Sequence, residues 1–115
     1  MKGYDAKCLN LSIMNELSDH LQQIKQLCKA NNVRSLFAFG SVVANNLKPT
    51  SDIDLLVDID ADDPLVYSDH YFELKFQLEN VLQRPIDLLE EKAIKNTFLK
   101  KQIDLNKVLV YGRPS

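Results

Sequence analysis

The segment SDIDLLVDID, residues 51–60, restricts the fold more than any other stretch of the chain. Ile53, Leu55, Val57 and Ile59 alternate with Asp52, Asp54, Leu56, Asp58 and Asp60. A period of two is that of a β-strand, whose successive side chains point to opposite faces. One face is wholly apolar and has to be covered, while the other is largely acidic. Such a strand belongs in a sheet with helices packed on its apolar side.

The flanking sequence supplies the rest of that sheet and its helices. VRSLFAFG (33–40) is apolar, carries aromatic and β-branched residues and ends at glycine, which predicts a mostly buried strand. RPIDLLE (84–90) predicts a third, with Arg84 held extended by Pro85. Residues 12–31 have helical spacing: Ile13, Leu17, Leu21, Ile24 and Cys28 share a face, Ser12 is the expected N-cap and Asn31-Asn32 the stop. SVVANNL (41–47) predicts one or two helical turns. Asp63 and Pro64 open a further helix as N-cap and first residue, with Tyr67, Tyr71, Leu74, Leu78 and Val81 as its buried stripe. A last helix is expected over 91–103, burying Ile94, Phe98 and Leu99, and VLVYG (108–112) reads as a short edge strand or an extended tail packed on the core. Strands alternating with helices give an α/β (α+β) fold: a small mixed β-sheet flanked by helices, expected as one domain over 1–115 with its functional core at 33–90.

Composition excludes several classes. The 115 residues are 45% hydrophobic and 26% charged, as in an ordinary soluble domain. A net charge of −2 argues against a general nucleic-acid binder, which would carry a basic stripe. It does not exclude a nucleotide, because metal ions can neutralise phosphates. Cys8 and Cys28 form no CxxC pair and read as reduced thiols of a cytoplasmic protein. No apolar run approaches a membrane span, and MKGYDAKCLN lacks the core of a signal peptide.

The acidic face carries the chemistry. Asp52 and Asp54, at i and i+2 of one strand, stand roughly 7 Å apart at Cα. Alone they would raise each other's pKa and cost stability. A divalent cation removes that conflict, and Mg²⁺ binds through one or two carboxylates together with substrate phosphate. Gly40 lets a ligand approach the backbone closely, and N–H groups opening a helical turn at Ser41 favour an anion. For Gly40-Ser41 to share a site with Asp52 and Asp54, the end of the first strand must lie beside the start of the second, which makes the two strands antiparallel neighbours. Asp87 is the only charged residue inside PIDLL; if its strand adds next to 52–60, Asp87 can face Asp54. Three carboxylates can hold two metals roughly 4 Å apart.

Each motif also has a bland reading. The aspartates could line a solvated edge, Ser41 could cap a helix, and Asp87 could be satisfied by backbone N–H groups. Residues 58–69 place acids at calcium-loop spacing, but Asp63 and Pro64 stand where such a loop requires other residues, so a solvated acidic turn is expected. His20 and His70 have no partner at ligand spacing. Lys92, Lys95, Lys100 and Lys101 read as a solvated helix face, or else as a docking patch for an acidic partner or nucleotide phosphate. Tyr67 and Tyr71 are expected in the core.

Gly-Ser, ten residues, Asp-x-Asp and a later strand aspartate resemble the nucleotidyltransferase fold of DNA polymerase β. In size and in SDIDLLV the chain is similar to the minimal nucleotidyltransferases, the antitoxin halves of HEPN/MNT toxin–antitoxin pairs. The resemblance covers about 33–90 well and the flanking helices loosely. It implies that Gly40 and Ser41 bind nucleotide phosphates, that Asp52 and Asp54 ligate Mg²⁺, and that Asp87 is the third carboxylate, orienting or deprotonating the attacking hydroxyl. It implies transfer of AMP from ATP, with a tyrosine of a partner HEPN protein as acceptor. Many members follow Gly-Ser with basic residues, whereas this chain has Val42, Val43, Ala44, Asn45 and Asn46, with Lys48 the nearest cation. That departure supports a second reading, a weak or inactive nucleotide-binding module that neutralises its partner stoichiometrically. Homo-oligomerisation is left open by the sequence.

Overall fold

The computed structural model describes residues 17, 19–40 and 52–112. Its elements are α1 (Leu21–Ala30), β1 (Val33–Phe39), β2 (Ile53–Ile59), α2 (Pro64–Leu82), β3 (Ile86–Glu90), a single 3₁₀ turn at Glu91–Ala93, α3 (Thr97–Asn106) and β4 (Val108–Gly112). The expected cap at Ser12, the residue Ile13, the turns over 41–47 and Cys8 lie outside the described residues.

The four strands form one mixed sheet in the order β3-β2-β1-β4. β1 runs antiparallel to β2 and to β4, and β2 runs parallel to β3. The antiparallel β1–β2 pairing is the one that a shared Gly40/Asp54 site requires. VLVYG is a strand, as one of its two readings had it, and it closes the sheet beside β1.

The alternation of β2 sorts its side chains as the sequence predicts. Ile53, Leu55, Val57 and Ile59 are buried with Leu36 and Ala38 of β1, Ile86 and Leu88 of β3, and the helix residues Leu17, Ile24, Cys28, Leu74, Leu78 and Leu82. This is the main core, lying between the sheet and α1 and α2. Burial pushes the Cys28 thiol up to about 12, so it stays protonated and serves as a small apolar group. Tyr67, Tyr71 and Val81 pack against this core half-buried, at the edge of the predicted stripe.

The opposite face of β2 is not uniformly acidic. Leu56 joins Phe37 and Ile103 in a second, small cluster, flanked by Phe39, Leu89 and Ile94. Here the last helix departs from expectation. Glu91–Ala93 form only a 3₁₀ turn, Asn96 caps the true helix by accepting a hydrogen bond from the Leu99 N–H at 3.1 Å, and α3 runs to Asn106. The shift in phase turns Ile103 inward and leaves Phe98 and Leu99 exposed. A start at 91 ignored Asn96, whose side chain satisfies an N–H that a helix opening leaves without a partner.

Candidate active site at the open ends of β1, β2 and β3

Strand register brings the candidate residues together. Phe39 of β1 pairs with Asp54 of β2, and Asp54 pairs with Asp87 of β3, so the three positions form one row across the sheet. Neighbouring strands in such a row are about 4.8 Å apart, and paired residues share a face. Asp54 and Asp87 therefore lie side by side. Asp52 lies just before β2, at the same end of the sheet. Asp52 and Asp87 are exposed and Asp54 is half-buried.

Gly40 follows the paired Phe39 directly and adopts φ +71°, the left-handed region that side chains disfavour. A Cβ on Gly40 would overlap the Asp54 carboxylate. Glycine is thus required twice, once for its dihedral angle and once for the room its missing side chain leaves beside the acid. Ser41 lies outside the described residues.

Three contacts hold β3 level with β2. The Ile53 N–H, between the two aspartates, donates to the Pro85 carbonyl at 3.0 Å. The Tyr71 hydroxyl donates to the Leu88 carbonyl at 2.5 Å, tying α2 to β3 one residue beyond Asp87. The Ile86 N–H donates to the Glu79 carboxylate at 3.0 Å, and Lys75 supports that carboxylate from one helical turn away at 3.2 Å. The Ile86 N–H, aided by Lys75, holds the Glu79 carboxyl below the usual glutamate range. These positioning contacts escaped the sequence reading. Helical spacing accounts for the ring of Tyr71 but not for its hydroxyl, and nothing in the local pattern links Glu79 to a backbone N–H seven residues on.

Four residues along β2 from Asp54, the environment changes. Asp58 is only 7% exposed. Arg34 reaches over from β1 to bind Asp58 at 3.1 Å and Asp60 at 2.9 Å, and Lys92 stands 3.7 Å from the second oxygen of Asp58. Asp58 first and Asp60 second raise the Arg34 pKa. The expectation of a solvated turn fails for Asp58, which is buried and ion-paired. Elsewhere His70 meets the Asn31 side chain at 3.1 Å and His20 that of Gln23 at 3.0 Å, the packing and surface roles expected of them.

Among the described residues, no three His, Cys, Asp or Glu side chains as placed form a group that could surround one cation. The donor chemistry of Asp52, Asp54 and Asp87 nevertheless suits a hard divalent ion. All three offer carboxylate oxygens at one end of the sheet, and the space that a Cβ would fill at Gly40 opens on to the Asp54 carboxylate.

Comparisons with known proteins point the same way. Residues 22–115 match the family described as "Polymerase beta, Nucleotidyltransferase". A protein of Methanocaldococcus jannaschii, provisionally named a protein adenylyltransferase, is 31% identical over 101 residues, covering 87% of this chain and all of that one. The solved structure of a provisionally named minimal nucleotidyltransferase superposes with a TM-score of 0.68 at 25% identity, covering 83% of this chain and 93% of the other. The MNT antitoxin solved in complex with a tri-AMPylated HEPN toxin of Shewanella oneidensis shares the fold, with a TM-score of 0.57 at 21% identity over 84% of this chain and 72% of that one.

Proposed function

This chain belongs to the polymerase β nucleotidyltransferase family and has its fold, and we propose that it transfers AMP from ATP to a hydroxyl group of a partner protein. The carrying observation is the pairing of Asp54 with Asp87 across adjacent strands while the Gly40 backbone abuts the Asp54 carboxylate. A nucleotide-anchoring turn and a carboxylate pair then share one end of the sheet.

In this reading Gly40 and Ser41 receive the phosphates, and Asp52, Asp54 and Asp87 hold Mg²⁺. Bound there, Mg²⁺ would neutralise the triphosphate and stabilise charge on the departing pyrophosphate. Asp87, exposed at the edge strand, orients the incoming hydroxyl and accepts its proton. The hydroxyl oxygen forms a bond to the α-phosphorus, the bond from that phosphorus to the bridging oxygen breaks, and pyrophosphate leaves with the electron pair. The reaction asks mainly for positioning and charge stabilisation, which suits a site built of backbone turns and carboxylates.

The acceptor proposed is a tyrosine of a HEPN-type protein. Support comes from the shared fold with an antitoxin found beside an AMPylated toxin of that type, and from the adenylyltransferase name of the M. jannaschii relative. The biological role is then that of an antitoxin acting by modification. The test incubates the purified chain with α-labelled ATP, Mg²⁺ and a HEPN-type partner. Label on the partner that disappears with Asp54→Asn, and with a chelator, is the expected result. Neutralisation of the partner that persists in Asp52→Asn and Asp54→Asn without any label would establish stoichiometric capping instead. The uncharged run from Val42 to Asn46 favours that second reading, because it lacks the arginines that would grip phosphate.

A further inference from the structure

Two helix faces are left uncovered by the described residues, and they carry opposite charge. On α2, Leu65, Phe72 and Phe76 recur at i, i+7 and i+11 and so form one ridge on the outward side of the helix. Phe72 is 63% exposed and Phe76 65%. Asp69 and Glu73, both exposed, lie on one flank of this ridge and form no ion pair among the described residues. The nearby Lys75 is engaged by Glu79. On α3, Phe98 is 71% exposed and Leu105 78%, with Leu99 also exposed. Lys100 and Lys101 are exposed on that helix and form no ion pair among the described residues. Large apolar side chains grouped on a surface in this way mark an interface.

We propose that these two faces bind each other between copies of this chain, the α2 ridge of one copy seated on α3 of the next. The spacings match. Leu65 and Phe72 are seven residues apart, and so are Phe98 and Leu105. Two helices running in the same direction align both pairs, and Asp69 then falls within one residue of the level of Lys101, on adjoining flanks. The charges match as well. An α2–α2 contact would bring the Asp69 and Glu73 carboxylates of both copies together, whereas α3 offers Lys101 beside its ridge. The contact is heterologous, so it continues from copy to copy as a chain or closes as a ring. It assigns a role to Lys101, which the proposed transfer reaction does not use.

Sedimentation equilibrium of the full chain tests this without any other component. The expected result is a mass above the monomer that grows with protein concentration and falls at high salt. Phe72→Glu and Phe98→Glu should each be monomeric alone, because each keeps only one of the two faces. Mixed in equal amounts they should recover a 1:1 dimer through the α3 of one and the α2 of the other. Asp69→Lys or Lys101→Glu alone should weaken assembly about tenfold, and the two combined in one chain should restore it. All four positions are exposed, and thermal melts matching that of the unmodified chain will show that the variants are folded. A chain that stays monomeric to about 1 mM overturns the proposal and leaves the ridges to a different protein. Assembly lost in only one of the two phenylalanine variants, or a mixture that stays monomeric, also overturns it.

Discussion

The tripeptide Asp-Ile-Asp occurs twice along β2, at 52–54 and at 58–60, and the two copies serve different ends. At 58–60 the chain neutralises its own acids: Arg34 bridges both carboxylates, and Lys92 approaches the buried Asp58 from the other side. At 52–54 the neighbour across the sheet is another acid, Asp87, and the neighbour on the other side is the bare backbone of Gly40. Asp58 is shut away from solvent and shares an arginine with Asp60, which leaves little access for an added cation. At 52–54 and 87 acid lies beside acid, an arrangement that a bound cation would stabilise. One copy is therefore tied to cations inside the fold, and the other stands at the end of the sheet where Gly40 and Asp87 meet it.

The sharpest way to break this contrast is to neutralise one acid of each copy. Asp54→Asn should lower the rate of AMP transfer by about a hundred- to a thousandfold while the protein remains folded, measured as label incorporated into the partner. Asp58→Asn should do the reverse, lowering the melting temperature and sparing the transfer rate. If both variants lose transfer equally without unfolding, the two ends of β2 are not functionally distinct.

Gly40→Ala is expected to come next in size. It forces a side chain into φ +71° and against the Asp54 carboxylate, so it should cost about 1–3 kcal/mol of stability, read by chemical denaturation, and weaken nucleotide binding. Tyr71→Phe keeps the ring and removes only the hydrogen bond to Leu88. A loss of about 1 kcal/mol is expected, with a measurable fall in transfer because β3 carries Asp87. The smallest effect should come from Glu79→Gln and is confined to acid. Since the folded state holds the Glu79 carboxyl below its ordinary value of 4.5, its contribution to stability is present above that value and is lost as the pH falls through the folded one. The variant should therefore show a flatter fall of melting temperature between about pH 6 and pH 3 than the parent chain.

The placement of the candidate residues in their strands is legible in the sequence because it is written in short-range pattern. Gly40 ends a strand, Asp54 occupies the polar phase of another, and Asp87 interrupts an apolar run; each is visible within a few residues. Their convergence followed from two topological inferences, the antiparallel pairing of 33–40 with 51–60 and the placement of 84–90 beside 52–60, and the register bears out both. The sequence reading starts the last helix at 91, whereas Asn96, a residue type favoured as an N-cap, opens α3. Phe98 was assigned to the core because its hydrophobicity was visible and its helical phase was not.

Periodicity determined which face of β2 and of α1 supplies the main core, since removing apolar side chains from water depends on their spacing along one element, whereas the burial of Leu56 on the other face of β2 required α3. The tertiary structure decided which acids an arginine of the same chain reaches. Arg34 is 24 residues from Asp58, and the Glu79 carboxylate meets the Ile86 N–H only after α2 has returned the chain to the sheet. Electrostatic partnership depends on distance in space, and two identical tripeptides acquire different chemistry only when the fold sets an arginine beside one and an aspartate beside the other.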